Sequence, residues 1–70
     1  MFSLVLIAYN TFCIVKESGK EDKSYGYIKI SKFDGFYGVS LNAISDEVYK
    51  SGEYHKLEQE AIEIVKSKQG

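Results

Sequence analysis

Residues 25–43 read YGYIKISKFDGFYGVSLNA, and this stretch decides the fold. Apolar and polar residues alternate on both sides of Asp34–Gly35, which is typical of strands with one buried face. Asp-Gly between two such runs is a strong signal for a two-residue hairpin, because a type I′ turn needs positive φ at both central positions. We therefore predict a β-hairpin with strands at about 25–33 and 36–43.

The short turn also predicts the register of this hairpin. A two-residue loop places Phe33 opposite Phe36, and the pairs that follow outward include Ile28 opposite Leu41. One face of the hairpin is then apolar and belongs to the core. The other face is small and polar in its middle, with aromatic residues at both ends.

The second face of the hairpin is a candidate binding surface. Aromatic rings with a lysine between them can stack on a nucleobase or another planar ligand. Tyrosine and phenylalanine are also common anchors of protein interfaces. A third interpretation is that these rings only pack against a dimer partner or the N-terminal strands. We expect a protein partner rather than a nucleotide-like ligand, bound by Tyr25, Tyr27, Lys29, Phe33 and Phe36.

Residues 1–15, MFSLVLIAYNTFCIV, carry no charged side chain. A secretory signal would need a basic residue before its apolar part, and a membrane span would need about 20 apolar residues. The segment has neither, and its composition favours buried strand. We predict strand structure over about 2–17, either as one strand with a bulge near Asn10 or as a hairpin that turns at Asn10–Thr11.

This N-terminal segment is apolar on both of its predicted faces, as in a strand that is buried on both sides. The helices predicted below can cover one face of the sheet only. A second copy of the chain is the simplest cover for the other face, so we predict a homodimer or a higher homo-oligomer. The residues expected at this interface are Phe2, Leu4, Val5, Leu6, Ile7 and Tyr9.

The C-terminal third of the chain predicts two helices, at about 45–50 and 52–68. Ser45 is a suitable N-cap, and the apolar stripes of the two segments point in different directions unless the chain breaks at Ser51–Gly52. With the loop at 18–24, these elements form a single small α+β domain over 1–70. Its antiparallel sheet of three or four strands is followed by one short and one longer helix on one face.

Charge and composition exclude several functions. The net charge is −1 and all nine cationic residues are lysines, which argues against a protein that coats duplex nucleic acid. With one cysteine and one histidine, the chain has no intrachain disulfide and no zinc cluster. We expect no cofactor and no metal.

Catalytic motifs are equally sparse. Ser51, His55 and Glu58 would lie along one short helical stretch without a second element to orient them, so we interpret His55 as a solvated histidine. Cys13 lies in an uncharged strand, which predicts an inert buried thiol. We expect no catalytic residue.

These observations favour a non-enzymatic binding module that acts in the cytoplasm by stoichiometric protein binding. Small chains without arginine, proline or enzymatic motifs are common among phage and mobile-element accessory proteins that inhibit or sequester a host factor. The alternative is a protein that sequesters a small ligand or nucleotide at an oligomer interface. Membrane and duplex nucleic acid are not expected partners.

Overall fold

The computed structural model describes residues 2–16 and 24–69. They form a four-stranded antiparallel sheet, in the order β1-β2-β3-β4, followed by two helices. This confirms the predicted α+β class. The elements are β1 Phe2–Ala8, β2 Thr11–Lys16, β3 Tyr27–Phe33, β4 Phe36–Asn42, α1 Asp46–Ser51 and α2 Tyr54–Gln69.

The β3–β4 hairpin has the predicted register over its whole length, from Phe33 opposite Phe36 to Tyr27 opposite Asn42. Its turn residues Asp34 and Gly35 both have positive φ, of 52° and 83°. The Asp-Gly turn therefore adopts the backbone conformation that its sequence favours.

The N-terminal segment is a hairpin rather than one long strand. It turns at Tyr9–Asn10, one residue before the predicted position, so the range predicted as a strand is divided into β1 and β2. Asn10 takes the left-handed conformation, with φ 50°, which asparagine tolerates better than most residues. The pairing of β1 with β2 shifts between Leu6 and Ala8, so an irregularity lies beside the turn instead of within one long strand.

The short helix α1 has the predicted N-cap. The Oγ of Ser45 accepts a hydrogen bond from the N–H of Glu47 at 3.2 Å. Gly52, with φ 75°, ends α1 and donates its N–H to the carbonyl of Tyr49. The Oγ of Ser51 then accepts from the N–H of Glu53 at 3.1 Å. Helix α2 therefore begins at Tyr54, two residues after the predicted start at 52.

The helices lie on one face of the sheet, and the core lies between them. Helix α2 packs against β1 and β3. Its buried residues Leu57, Ala61 and Val65 form one apolar stripe, whereas Ile64 keeps 39% of its surface exposed. The sheet and α1 complete the buried core with Phe2, Phe12, Ile14, Tyr25, Ile28, Ile30 and Val48.

The sequence also predicts a loop at 18–24 and no membrane span. The loop predicted at 18–24 lies outside the described residues except for Ser24. Within the described ranges, no helix is both long and apolar enough to cross a membrane.

Candidate functional site

The candidate site is the side of the sheet that faces away from the helices, which we call the open face. In β3, Ile28 and Ile30 are buried beneath the helices, whereas Tyr27 and Lys29 alternate with them and point to the other side. Strand register extends this assignment across the sheet. The open face consists of Ser3, Val5, Thr11, Cys13, Val15, Tyr27, Lys29, Ser31, Phe33, Phe36, Gly38, Ser40 and Asn42.

The open face has an apolar half and a polar half. On the β1–β2 side, Val5 lies opposite Cys13, and Val15 is half-buried. On the β3–β4 side, Lys29 lies opposite Ser40. An apolar surface therefore adjoins a polar one that carries a lysine.

At the turn end of the open face, Phe33 and Phe36 form a cross-strand pair. Their exposed fractions are 83% and 76%, the highest among the phenylalanines of the described residues. Both rings flank the Asp34–Gly35 turn, whose two positive φ angles fix the course of the chain. The pair is thus an apolar projection on an ordered hairpin.

Tyr25 is separated from the other predicted binding residues. It is 3% exposed, and its ring lies 5.3 Å from that of Phe2 in an edge-to-face arrangement. The N–H of Ile14 donates to the carbonyl of Gly26, and the carbonyl of Ile14 accepts from the N–H of Tyr25. Two consecutive residues, Tyr25 and Gly26, therefore lie opposite the single residue Ile14. This extra residue shifts the alternation and turns Tyr25 toward the helices. Gly26, with φ 137°, is the sequence signal for that irregularity.

The residues predicted at an oligomer interface also divide into two groups. Phe2 is buried in the core of its own chain, and Leu4 is half-buried against that core. The other four keep between 42% and 82% of their surface exposed: Val5, Leu6, Ile7 and Tyr9. The accessible part of the predicted interface is therefore the second half of β1 and its turn.

A groove of about 500 Å³ lies beside this part of β1. Its lining combines the β1–β2 turn with the end of α2: Leu6, Ile7, Ala8, Tyr9, Asn10 and Lys68. Sequence reasoning missed Lys68, because nothing in the local pattern indicates that the end of α2 approaches the first turn.

Positive charge collects at the turn end of the sheet. The Nζ atoms of Lys32 and Lys66 lie 5.6 Å and 5.5 Å from the centre of the Tyr37 ring. Both distances are within the range of cation–π interactions. Lys32 and Tyr37 alternate with Phe33 and Phe36 and lie on the helix side of the sheet, and Lys68 lines the groove beside the β1–β2 turn.

The structure gives Ser51 and His55 separate partners. The hydroxyl of Ser51 donates to the carbonyl of Val48 at 2.7 Å, so its proton is already used in capping α1. His55 is exposed, and its ring lies 4.1 Å from that of Tyr54. Among the residues that the structure describes, no group of three or more His, Cys, Asp or Glu is arranged to hold a metal ion.

The Cys13 thiol lies on the open face, where it is half-buried rather than fully buried as expected. Its Sγ lies 3.5 Å from the Oγ of Ser24 and 3.8 Å from the carbonyl oxygen of Ile14. These are weak, neutral partners. Nothing in these contacts supplies the positive charge that would activate a thiol.

No protein-family model, curated protein or solved structure matches this chain. The candidate site is therefore defined by geometry: the open face, the exposed phenylalanine pair at its turn end and the apolar edge along β1.

Proposed function

We propose that this chain is a non-enzymatic module that binds a partner protein stoichiometrically through the turn end of its open face. The observation that carries the proposal is the exposed pair of Phe33 and Phe36 on an ordered hairpin. Full burial of one such side chain stabilises a complex by about 1.5–3 kcal/mol. Because the positive φ angles of Asp34 and Gly35 fix the backbone of the turn, binding would cost little ordering of the hairpin backbone.

Charge around the rings indicates what the partner surface is like. Lys32 and Lys66 flank Tyr37 on the helix side of the same hairpin end, and Lys68 lines the groove beside the neighbouring β1–β2 turn. A partner with an apolar pocket bordered by carboxylates would match both features, because complementary charge favours encounter and suppresses wrong partners. The arginine-free, proline-free composition supports an accessory protein of a phage or mobile element that inhibits or sequesters a host factor.

Self-association is the second part of the proposal. Val5, Leu6 and Ile7 stay about half exposed after the chain has packed its core. Exposed apolar residues that adjoin one another are typical of interaction sites rather than of free surface. We therefore propose a homodimer in which β1 contributes to the contact.

The partner is tested by capture with the wild-type chain, followed by titration of the purified, identified protein. Phe33→Ala with Phe36→Ala should weaken binding at least about tenfold, as expected for central aromatic anchors. Tyr49→Ala is the matched control, because this exposed aromatic lies on α1 at the opposite end of the sheet. Equal affinity of the double variant and the wild type would reject the proposed site.

A small anionic ligand is the second candidate, supported by one row of the open face. Thr11, Lys29 and Ser40 lie side by side on three strands, next to Tyr27. Two hydroxyls beside a lysine can hold a phosphate, and the tyrosine ring can stack on a base. A nucleotide that binds here should raise the melting temperature, and Lys29→Ala should reduce that rise. Unchanged melting across a panel of nucleotides would exclude this candidate.

A further inference from the structure

β1 is an edge strand of the described sheet, and nothing in its composition protects that edge. Its sequence, FSLVLIA, contains no charge and no proline, which are the usual devices against pairing with another strand. The N–H of Phe2 is held by the Oε1 of Glu53 at 3.3 Å, and the pairing irregularity begins after Leu6. The regular free edge is therefore centred on Leu4–Leu6.

The backbone hydrogen bonds of β2 show which groups of β1 point outward. The N–H and the C=O of Ile14 both bond toward β3. Since directions alternate along a strand, Phe12 also directs its backbone groups toward β3. Leu4 and Leu6 lie opposite these two residues, so their own N–H and C=O groups point away from β2. The bond from Phe2 to Glu53 follows the same alternation.

The side chains along this edge are apolar on both faces of the sheet. Val5 and Ile7 are 47% and 53% exposed, and Leu6, on the helix side, is 42% exposed. Ile64 of α2 is 39% exposed and precedes Lys68 by one helical turn. Because Lys68 lines the groove with Leu6, Ile64 belongs to the same side of α2. The free backbone edge is thus bordered by apolar side chains.

We propose that two copies of the chain join through antiparallel pairing of their β1 strands about a two-fold axis at Val5. In this register Leu4 pairs with Leu6 of the partner subunit, and Leu6 pairs with the partner's Leu4. Each pair exchanges two backbone hydrogen bonds, and Val5 lies beside its own copy. The bond between Phe2 and Glu53 stays intact. This inference rests on the self-association proposed above and specifies how the two copies are arranged.

A second copy is the occupant that fits this edge because the strand complements itself. Antiparallel self-pairing of an uncharged strand brings no like charges together, and over Leu4–Leu6 it places apolar residues opposite apolar ones on both faces. A two-fold axis also closes the assembly at two copies, with β4 at both ends of a continuous sheet. The β4 edge, FYGVSLN, also lacks charge and proline, but beyond Phe36 its open-face residues Gly38, Ser40 and Asn42 are small or polar and offer less apolar contact to a second strand.

A pair of matched charge substitutions tests this geometry. Leu6 and Leu41 lie on the two outer strands, both on the helix side, and are 42% and 37% exposed. In sedimentation equilibrium at micromolar concentration, the wild type should have twice the 7.9 kDa mass of one chain. Leu6→Lys should be monomeric, whereas Leu41→Lys should remain dimeric. Far-UV circular dichroism checks that both variants are folded.

Disulfide cross-linking tests the register without relying on a destabilising charge. Val5→Cys would place two thiols across the axis, in a non-hydrogen-bonded pair with Cα atoms about 4.5 Å apart, a separation that a disulfide can span. Cys13 is changed to Ser in this variant because it lies opposite Val5 within the chain. Ser40→Cys with Cys13→Ser is the control on the other edge. The Val5→Cys chain should form a covalent dimer on oxidation, and the control should not.

The outcomes separate this inference from the proposal on which it rests. A wild-type chain that is monomeric at micromolar concentration contradicts both the self-association and the β1 edge. A wild-type dimer that persists in Leu6→Lys and does not cross-link through Val5→Cys rejects the β1 edge but leaves self-association in place. If Leu6→Lys is unfolded, the cross-linking result decides.

Discussion

The two hairpins of the sheet differ in the regularity of their strand pairing and in the residues of their turns. In β3–β4, every residue pair from Tyr27 to Phe33 is in regular register, and the turn is Asp-Gly. In β1–β2, the register shifts after Leu6, and the turn is Tyr9–Asn10, in which only Asn10 has a positive φ. The hairpin with the stronger turn signal is also the one whose open face is polar along its middle.

A hairpin can be ordered by the conformation of its turn or by the burial of its side chains. The β3–β4 turn fixes its strands locally, so that Phe33 and Phe36 can stay exposed without loss of register. The β1–β2 hairpin depends on long-range contacts: Phe12 is buried in the core, and the carbonyl of Asn10 accepts from the N–H of Ile30 at 2.9 Å. The two hairpins therefore differ in the strength of their turns, whereas both have residues in the core: Phe12 in β2, and Ile28 and Ile30 in β3.

The largest expected effect comes from removing one phenylalanine from each hairpin. Phe12→Ala deletes a side chain that is 1% exposed and should cost about 3–5 kcal/mol of stability, most of what a domain of this size has. Phe33→Ala should cost less than about 0.5 kcal/mol, because its ring is already in solvent. Urea unfolding followed by circular dichroism measures both. Similar losses in the two variants would contradict the contrast.

A second prediction concerns the entry into β3. A Cβ added at Gly26 would lie 2.8 Å from the Cα of Ile44, and the φ of 137° is unfavourable for alanine. Gly26→Ala should therefore cost on the order of 2 kcal/mol, with strain and crowding combined. Gly52→Ala, where φ is 75° and the space is open, should cost about 1 kcal/mol from strain alone. If Gly52→Ala lowers the melting temperature more than Gly26→Ala does, the space between Gly26 and Ile44 can accommodate a methyl group.

The third prediction tests the weaker turn. Asn10→Ala should lose about 1 kcal/mol, because alanine resists the left-handed conformation, whereas Asn10→Gly should recover most of that loss. Equilibrium unfolding of both variants gives the comparison. If glycine is as harmful as alanine, the buried Asn10 side chain, and not its backbone conformation, orders this turn.

The smallest effect is expected where α2 meets the β3–β4 hairpin. Lys66→Ala removes one of the two cations over the Tyr37 ring and should cost about 0.5 kcal/mol. Lys68→Ala in the same helical turn is the control, since Lys68 interacts similarly with the helix dipole but lines the groove beside the β1–β2 turn. An equal cost for both variants would assign the effect to the dipole.

Much of this fold could be predicted because its signals are local. Asp34–Gly35 set a turn, Ser45 and Gly52 set the bounds of α1, and alternation assigned Ile28 and Ile30 to the core. The position of the first turn was off by one residue, because Tyr9–Asn10 has no strong turn signal and its conformation depends on packing.

The candidate site was less predictable, because it depends on long-range geometry. Tyr25 was assigned to the binding surface by simple alternation, which fails where two residues oppose Ile14. The groove beside β1 needs the end of α2, and Lys68 carries no local sign of that approach. Phe33 and Phe36 were found from the sequence because the turn alone sets their position.

We propose that the β3–β4 turn binds the partner protein while the β1 edge joins two copies of the chain. Native mass spectrometry of the wild type, Leu6→Lys and the Phe33→Ala/Phe36→Ala variant, each mixed with the purified partner, tests it most directly. We expect a partner-bound dimer for the wild type, a partner-bound monomer for Leu6→Lys and a partner-free dimer for the double variant. Loss of both contacts in either variant, or of neither, would contradict the division between the two hairpins.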